Sequence, residues 1–137
     1  MLTRILALSA TLVLVGCANV CPDDMVLDRQ RSKETRVAFC VSHKDASRAL
    51  WIEHYPSQKQ RKQVCPFVGG RPGGVYQAWH TGGAKFLEGR YENGLKTGRW
   101  TQWSPDGSKV GDGEYRDGQL IQGAPVGTSA NCESVVW

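Results

Sequence analysis

The chain has 137 residues, with 17 Lys plus Arg against 13 Asp plus Glu and a formal net charge of +4. So mild an excess is not the footprint of a nucleic-acid binder, which gathers cations on one face or stripe. The length allows one domain with a modest core.

Met1-Leu2-Thr3-Arg4 sets one positive charge before an uncharged run from Ile5 to Val15, interrupted only by Ser9 and Thr11. That run is too short to span ~30 Å of hydrocarbon, which takes roughly 20 residues. It has the length of the apolar region of a secretory signal helix. It ends Leu14-Val15-Gly16-Cys17. This resembles the lipobox of bacterial lipoprotein precursors, in which small residues let a protease seat the backbone and the cysteine sulfur accepts lipid. The resemblance implies cleavage before Cys17, a diacylglyceryl thioether on Cys17 and N-acylation of the new terminus. It thereby implies a cell-envelope protein held to a membrane, with no cofactor beyond that covalent diacylglycerol and N-acyl lipid. Ala18 rather than Asp follows the cysteine; in a Gram-negative host the resemblance then implies the outer membrane. The competing reading is an ordinary cleaved signal with an incidental cysteine.

Loss of residues 1–16 leaves 121 residues and a net charge of +3, because Arg4 is the only charge removed. Residues 17–36 are polar, with Asp23, Asp24, Asp28, Arg29, Arg31, Lys33 and Glu34. They read as a lipidated tether that lifts the rest of the chain off the membrane.

Five cysteines are present, and setting Cys17 aside leaves Cys21, Cys40, Cys65 and Cys132. An even number in an exported chain reads as two disulfides, with three possible pairings. Zinc is the alternative, since Cys40-x-x-His43 has ligand-like spacing. Its remaining ligands would have to come from the scattered His54, Cys65 or His80, so no metal is expected.

Fourteen of the 16 glycines fall between residues 66 and 123. Such a shift in composition calls for a repeat search. At an offset of 24 residues, Trp79 falls on Trp103, Gly83 on Gly107, Lys85 on Lys109, Gly89 on Gly113 and Tyr76 on Trp100. Tyr91-Glu92-Asn93-Gly94 falls on Tyr115-Arg116-Asp117-Gly118. One step upstream, Phe67-Val68-Gly69-Gly70, Gly74 and Tyr55 take the places of Tyr-x-Asn-Gly, Gly98 and Trp79. A further step is faint, with His43-Lys44-Asp45-Ala46 at the turn.

Asn93-Gly94, Asp106-Gly107 and Asp117-Gly118 are turn signals, because glycine supplies φ > 0 and Asn or Asp tolerates it. Aromatic and β-branched runs between them suit strands, which are predicted near 75–80, 84–91, 98–103 and 108–115. Each repeat is then about one β-hairpin, and neighbouring hairpins share their stability. The predicted class is all-β: an elongated antiparallel sheet of stacked hairpin repeats over residues 37–123, clearest over 74–123, with a C-terminal tail at 124–137.

The pattern Gly-x-(Trp/Tyr)-x-x-Trp followed by Gly-x-Tyr-x-(Asn/Asp)-Gly resembles MORN repeats. It is most similar to the bacterial MORN-variant repeats of antitoxin-like proteins and envelope lipoproteins. It is carried by Gly74-Val75-Tyr76-Gln77-Ala78-Trp79 with Gly89 to Gly94, and by Gly98-Arg99-Trp100-Thr101-Gln102-Trp103 with Gly113 to Gly118. The resemblance implies a curled antiparallel sheet used for binding and scaffolding rather than chemistry. Residues 57–65 depart from the pattern, lacking the turn glycine, and residues 22–65 contain no glycine at all. The upstream units are therefore expected to be distorted, with disulfides compensating.

The repeat also constrains the cysteines. Cys40 and Cys65 are 25 residues apart. Equivalent positions in successive hairpins lie two strands apart, or ~9.5 Å, and a disulfide needs Cα atoms within about 7 Å. That disfavours Cys40–Cys65. It leaves Cys21–Cys40 with Cys65–Cys132, which is preferred, or Cys21–Cys65 with Cys40–Cys132. The tail ending Val135-Val136-Trp137 is expected to cap the last hairpin, since an open sheet edge needs cover.

Tyr76, Trp79, Trp100 and Trp103 are the candidate binding face. Trp79 and Trp103 share one phase and Tyr76 and Trp100 the other, so one set can be core while the other faces a partner. Packing between repeats is the competing role for all of them. The basic run Lys59-Gln60-Arg61-Lys62 could meet anionic headgroups, or be a solvated strand or loop. His43, His54 and His80 have no nearby nucleophile in a recognisable elbow, and no phosphate loop is present, so no enzyme is expected. The sequence therefore points to a lipid-anchored envelope module with a protein or envelope partner and no nucleic acid. An antitoxin-like or immunity lipoprotein acting on a co-encoded toxin, and a spacer without a specific ligand, are the alternatives.

Overall fold

The computed structural model describes residues 20–32, 36–56, 60–127, 132 and 135. The signal helix expected at 1–16 and Cys17 lie outside the described residues. The chain forms one antiparallel sheet of ten strands. They are β1 (Met25–Leu27), β2 (Val37–Ser42), β3 (Arg48–His54), β4 (Arg61–Val68), β5 (Arg71–Pro72), β6 (Gly74–Trp79), β7 (Lys85–Glu92), β8 (Leu95–Trp103), β9 (Lys109–Arg116) and β10 (Gln119–Gly123). Neighbours along the sheet follow chain order, except that the two-residue β5 sits beside β4 and off the main path. The sequence therefore places the four strands of its two clearest repeats correctly.

Turn chemistry sets the register at one end. Asn93 and Gly94 both have positive φ, as do Asp117 and Gly118, the requirement of a two-residue turn matched to strand twist. Successive turns are tied to one another. The amides of Gly69, Gly94 and Gly118 donate to the carbonyls of Ser47, Pro72 and Lys96, each 22 residues upstream. Upstream, where glycine is missing, Asp45 builds the turn instead. Its Oδ1 accepts from the backbone amide and the hydroxyl of Ser47, which hold the Asp45 carboxyl below its usual range.

The inner face of the sheet carries the main core. Phe39, Ala49, Cys65, Phe67, Tyr76, Ala78, Leu87, Tyr91, Trp100 and Tyr115 bury there together. Tyr76 and Trp100, 24 residues apart, stack at 5.6 Å with 24° between their planes, and Tyr91 meets Trp100 edge-on at 5.1 Å. The repeat is therefore a ladder of offset and edge-to-face rings, the arrangements the ring quadrupole favours.

Residues 124–127 of the tail run across this face as a strap; Val136 and Trp137, at the end expected to cap the last hairpin, lie outside the described residues. Ala124 donates to the carbonyl of Asp112 on β9, Val126 to the hydroxyl of Tyr115, and Gly127 to Oε1 of Gln102 on β8. A Cβ on Gly127 would overlap Leu87 on β7. Cys132 then bonds to Cys65 on β4. The strap stays on the inner face because that face is apolar, while all five residues of β10 remain exposed.

Among the described residues, the outer face is covered at its N-terminal end. Ala38, Cys40, Ile52 and Val64 bury there under Cys21, with Met25 packed alongside. Over residues 20–32 this departs from the reading of 17–36 as a tether; residues 17–19 and 33–35 lie outside the described residues. Cys21 is bonded to Cys40, and Met25–Leu27 pairs with Cys40–Ser42 of β2. Asp28 and Ser32 continue the attachment: Asp28 Oδ1 caps the amides of Gln30 and Arg31, and Ser32 Oγ accepts from the amide of Phe39. Polar composition suggested a free segment; the disulfide and the edge pairing make it part of the sheet.

Candidate functional site

The four paired cysteines form Cys21–Cys40 and Cys65–Cys132, with Cα separations of 5.6 and 5.5 Å. Cys40 and Cys65 bury in different clusters on opposite faces of the sheet. That adds a reason, beyond strand spacing, why those two do not pair. The Cys40 sulfur is bonded to Cys21 and so is no thiolate ligand beside His43. Among the described residues no three His, Cys, Asp or Glu side chains gather as a metal site.

The four aromatics proposed as a binding face separate by phase. Tyr76 and Trp100 are fully buried at 0% exposure and belong to the ring ladder, so neither offers a surface. Trp79 and Trp103 are half-buried, at the end of the sheet where the 55–60, 80–84 and 104–108 connections lie. Both sit at a bulge that closes a strand: Trp79 opposite Lys85, and Trp103 opposite Lys109.

These connections are stitched together. Tyr55 donates its hydroxyl to the carbonyl of Trp79 at 2.7 Å. Gln60 Nε2 donates to the carbonyl of His80 at 2.6 Å, while its Oε1 accepts from Gly82. His80 Nε2 lies 2.8 Å from the carbonyl of Trp103, and since a carbonyl only accepts, Nε2 carries the proton. The His80 ring also meets Phe86 edge-on at 5.0 Å.

This stitching encloses a recess of about 350 Å³ lined by Tyr55, Lys62, Gln63, Ala78, Trp79, His80 and Phe86. Its walls are largely aromatic. Lys62 is engaged by Glu53 at 3.1 Å, and the same carboxylate accepts from Gln63 at 2.8 Å. Gln63 in turn accepts from the buried Tyr76 hydroxyl at 2.9 Å, whose pKa burial raises above its ordinary value. The basic run thus divides, with Gln60 bridging loops and Lys62 paired at the recess wall. The arrangement can bind through apolar and aromatic contact. It presents no nucleophile beside a base.

A second repeated feature lies on the outer face. Gln77, Glu88, Thr101 and Asp112 stand in one row across β6 to β9. Lys85 donates to Glu88 at 2.6 Å and Lys109 to Asp112 at 2.8 Å, two identical pairs one repeat apart. The Lys85 ammonium, followed by the Gln77 amide, holds the Glu88 carboxyl below its usual range. Lys109 does the same for Asp112, with Arg99 adding to it. Lys85 also lies 5.5 Å from the centre of the Trp103 ring, so the charged row runs into the aromatic end.

Tyr55, His80 and Phe86 were not singled out as site residues from the sequence. Tyr55 carried a signal, because it occupies the repeat position of Trp79 and Trp103. His80 and Phe86 carried none, since their place depends on how two connections fold together. Comparison with protein-family models, with curated proteins and with solved structures gives no match.

Proposed function

We propose that the protein is a lipid-anchored module of the cell envelope whose MORN-like hairpins bind a protein or envelope partner through the aromatic end formed by Tyr55, Trp79, His80 and Trp103. The observation that carries the reading is cysteine usage. Four cysteines pair within the fold, which suits an oxidising compartment. The fifth, Cys17, follows Gly16 at the close of the apolar run, where a lipobox cysteine belongs.

The aromatic end supports the binding half of the proposal. Half-buried tryptophans beside a recess are typical anchors of interfaces, where one face of the ring is already fixed by the fold. The test is a photoreactive residue at Trp79 or Trp103, crosslinked in cells and followed by mass spectrometry. A single dominant adduct supports an interaction module, and its identity separates an envelope scaffold from an immunity protein bound to a toxin. No discrete adduct at either position would leave a lipid-tethered spacer. For the anchor, Cys17→Ser is expected to abolish lipid labelling and release the protein from membranes.

A further inference from the structure

The fold leaves almost no tether. Cys21 is fixed to Cys40, and only Ala18, Asn19 and Val20 separate it from Cys17. At ~3.6 Å per residue, the Cys17 and Cys21 Cα atoms can be at most ~14 Å apart. If Cys17 holds acyl chains at a bilayer, Cys21 stays within ~14 Å of that anchor, and β1, which starts four residues later, is held close to the surface. That edge presents three apolar side chains, Val20, Val26 and Leu27, at 37, 47 and 42% exposure, with the exposed Asp23 and Asp24 between Val20 and Val26.

We propose that the β1 edge of the sheet, through Val20, Val26 and Leu27, rests on the lipid surface that anchors Cys17. This rests on the lipid-anchor reading above. The contact need not be strong by itself, because the tether confines the patch to the surface and raises its effective concentration. Apolar side chains at the boundary of headgroups and acyl chains add to the anchor. Unpaired backbone groups on the free edge of β1 remain satisfied there, since the headgroup layer is hydrated. The orientation also follows. Strands lie ~4.8 Å apart, and β10 is eight steps from β1 along the sheet, so β10 can stand no further than ~38 Å above β1. The aromatic end, on β6 to β8 and the β3–β4 connection, lies between those limits. On this view the sheet is a short mast standing on its own first strand.

The experiment uses the lipidated full chain in vesicles of phosphatidylethanolamine and phosphatidylglycerol. An environment-sensitive fluorophore is placed on Val26→Cys or on Ile121→Cys, with and without quencher-bearing lipids. The expected result is quenching at position 26 and none at position 121. An insert of about 20 Gly and Ser residues after Ala18, which averages roughly 25 Å end to end, is expected to diminish quenching at position 26. Hydrogen exchange on the unlabelled chain guards against a label that perturbs the fold. Amides of residues 20–27 should exchange more slowly in the vesicle-bound form than in the soluble Cys17→Ser form. Equal fluorescence and exchange at both ends, with lipid on Cys17 verified by mass, would overturn the membrane contact while leaving the anchor standing. A Cys17 without lipid would overturn both.

Discussion

Trp100 lies directly against the backbone of Gly89 on the neighbouring strand, and a Cβ at Gly89 would overlap the indole. Tyr76 is the register partner of Gly89 on the other side, so the bare backbone at residue 89 is the floor on which the Tyr76–Trp100 stack rests. Gly89 is there for the indole beside it; at Gly113, its repeat equivalent, a Cβ would meet the Ala124 carbonyl and Leu120 first.

Gly89→Ala is therefore expected to destabilise the mature domain by about 2–3 kcal/mol, the upper part of the range for overpacking a core. The indole is rigid and fully buried, so it cannot move aside cheaply. Urea unfolding measures the loss. Combining Gly89→Ala with Trp100→Leu should cost less than the sum of the two single changes, because the smaller side chain leaves room for the methyl. Strict additivity would mean that the two residues do not compete for one space.

The two disulfides should contribute unequally. Cys65–Cys132 closes a separation of 67 residues and Cys21–Cys40 one of 19. Chain entropy alone gives roughly 4 kcal/mol for the first and roughly 3 kcal/mol for the second. Replacing Cys65 and Cys132 together with serine is expected to be the more damaging pair, and to release the strap from the inner face. Limited proteolysis should then cut the chain after residue 123 while the sheet survives. A strap that stays protected in that variant would show that Val126 and its hydrogen bonds hold it unaided.

The repeated ion pairs give stability a pH dependence. Glu88 and Asp112 titrate lower when folded than the ordinary 4.5 and 3.8 of their types. A carboxyl with a depressed folded pKa stabilises fully above its unfolded value, and that contribution drains away as pH falls through the folded one. Melting temperatures from about pH 6 to about pH 2.5 should therefore converge for the wild type and the Glu88→Gln, Asp112→Asn double variant. A gap that stays constant across that range would exclude charge as its source.

Gly94→Ala and Gly118→Ala test the turns. Their φ values of 88° and 80° are left-handed, where a Cβ costs about 1–2 kcal/mol. Each change should lower the unfolding midpoint accordingly. Neutral behaviour at both would mean that the turns are not what fixes the register.

The aromatic end was only half legible in the sequence. Trp79 and Trp103 stood out by their spacing, and their shared phase separated them from Tyr76 and Trp100. The phase alone did not say which pair was core, because alternation divides two faces without assigning them. His80 joined them through contacts that no local period announces, a hydrogen bond to the Trp103 carbonyl 23 residues away and one from Gln60.

Local periods and glycine at set offsets located the four strands β6 to β9, their turns and their order, but not β10. Strand spacing also set aside Cys40–Cys65, leaving two pairings, of which the fold adopts the preferred one. The paths of residues 20–32 and 124–127 were settled by the fold instead. Residues 20–32 are polar yet attach to the sheet, and residues 124–127 cross its inner face. Both outcomes rest on long-range contacts, Cys21 with Cys40 and Cys132 with Cys65, which fix a segment's path without leaving any period in its sequence. The two contacts lie on opposite faces, Cys21–Cys40 in the smaller outer cluster and Cys65–Cys132 in the main core.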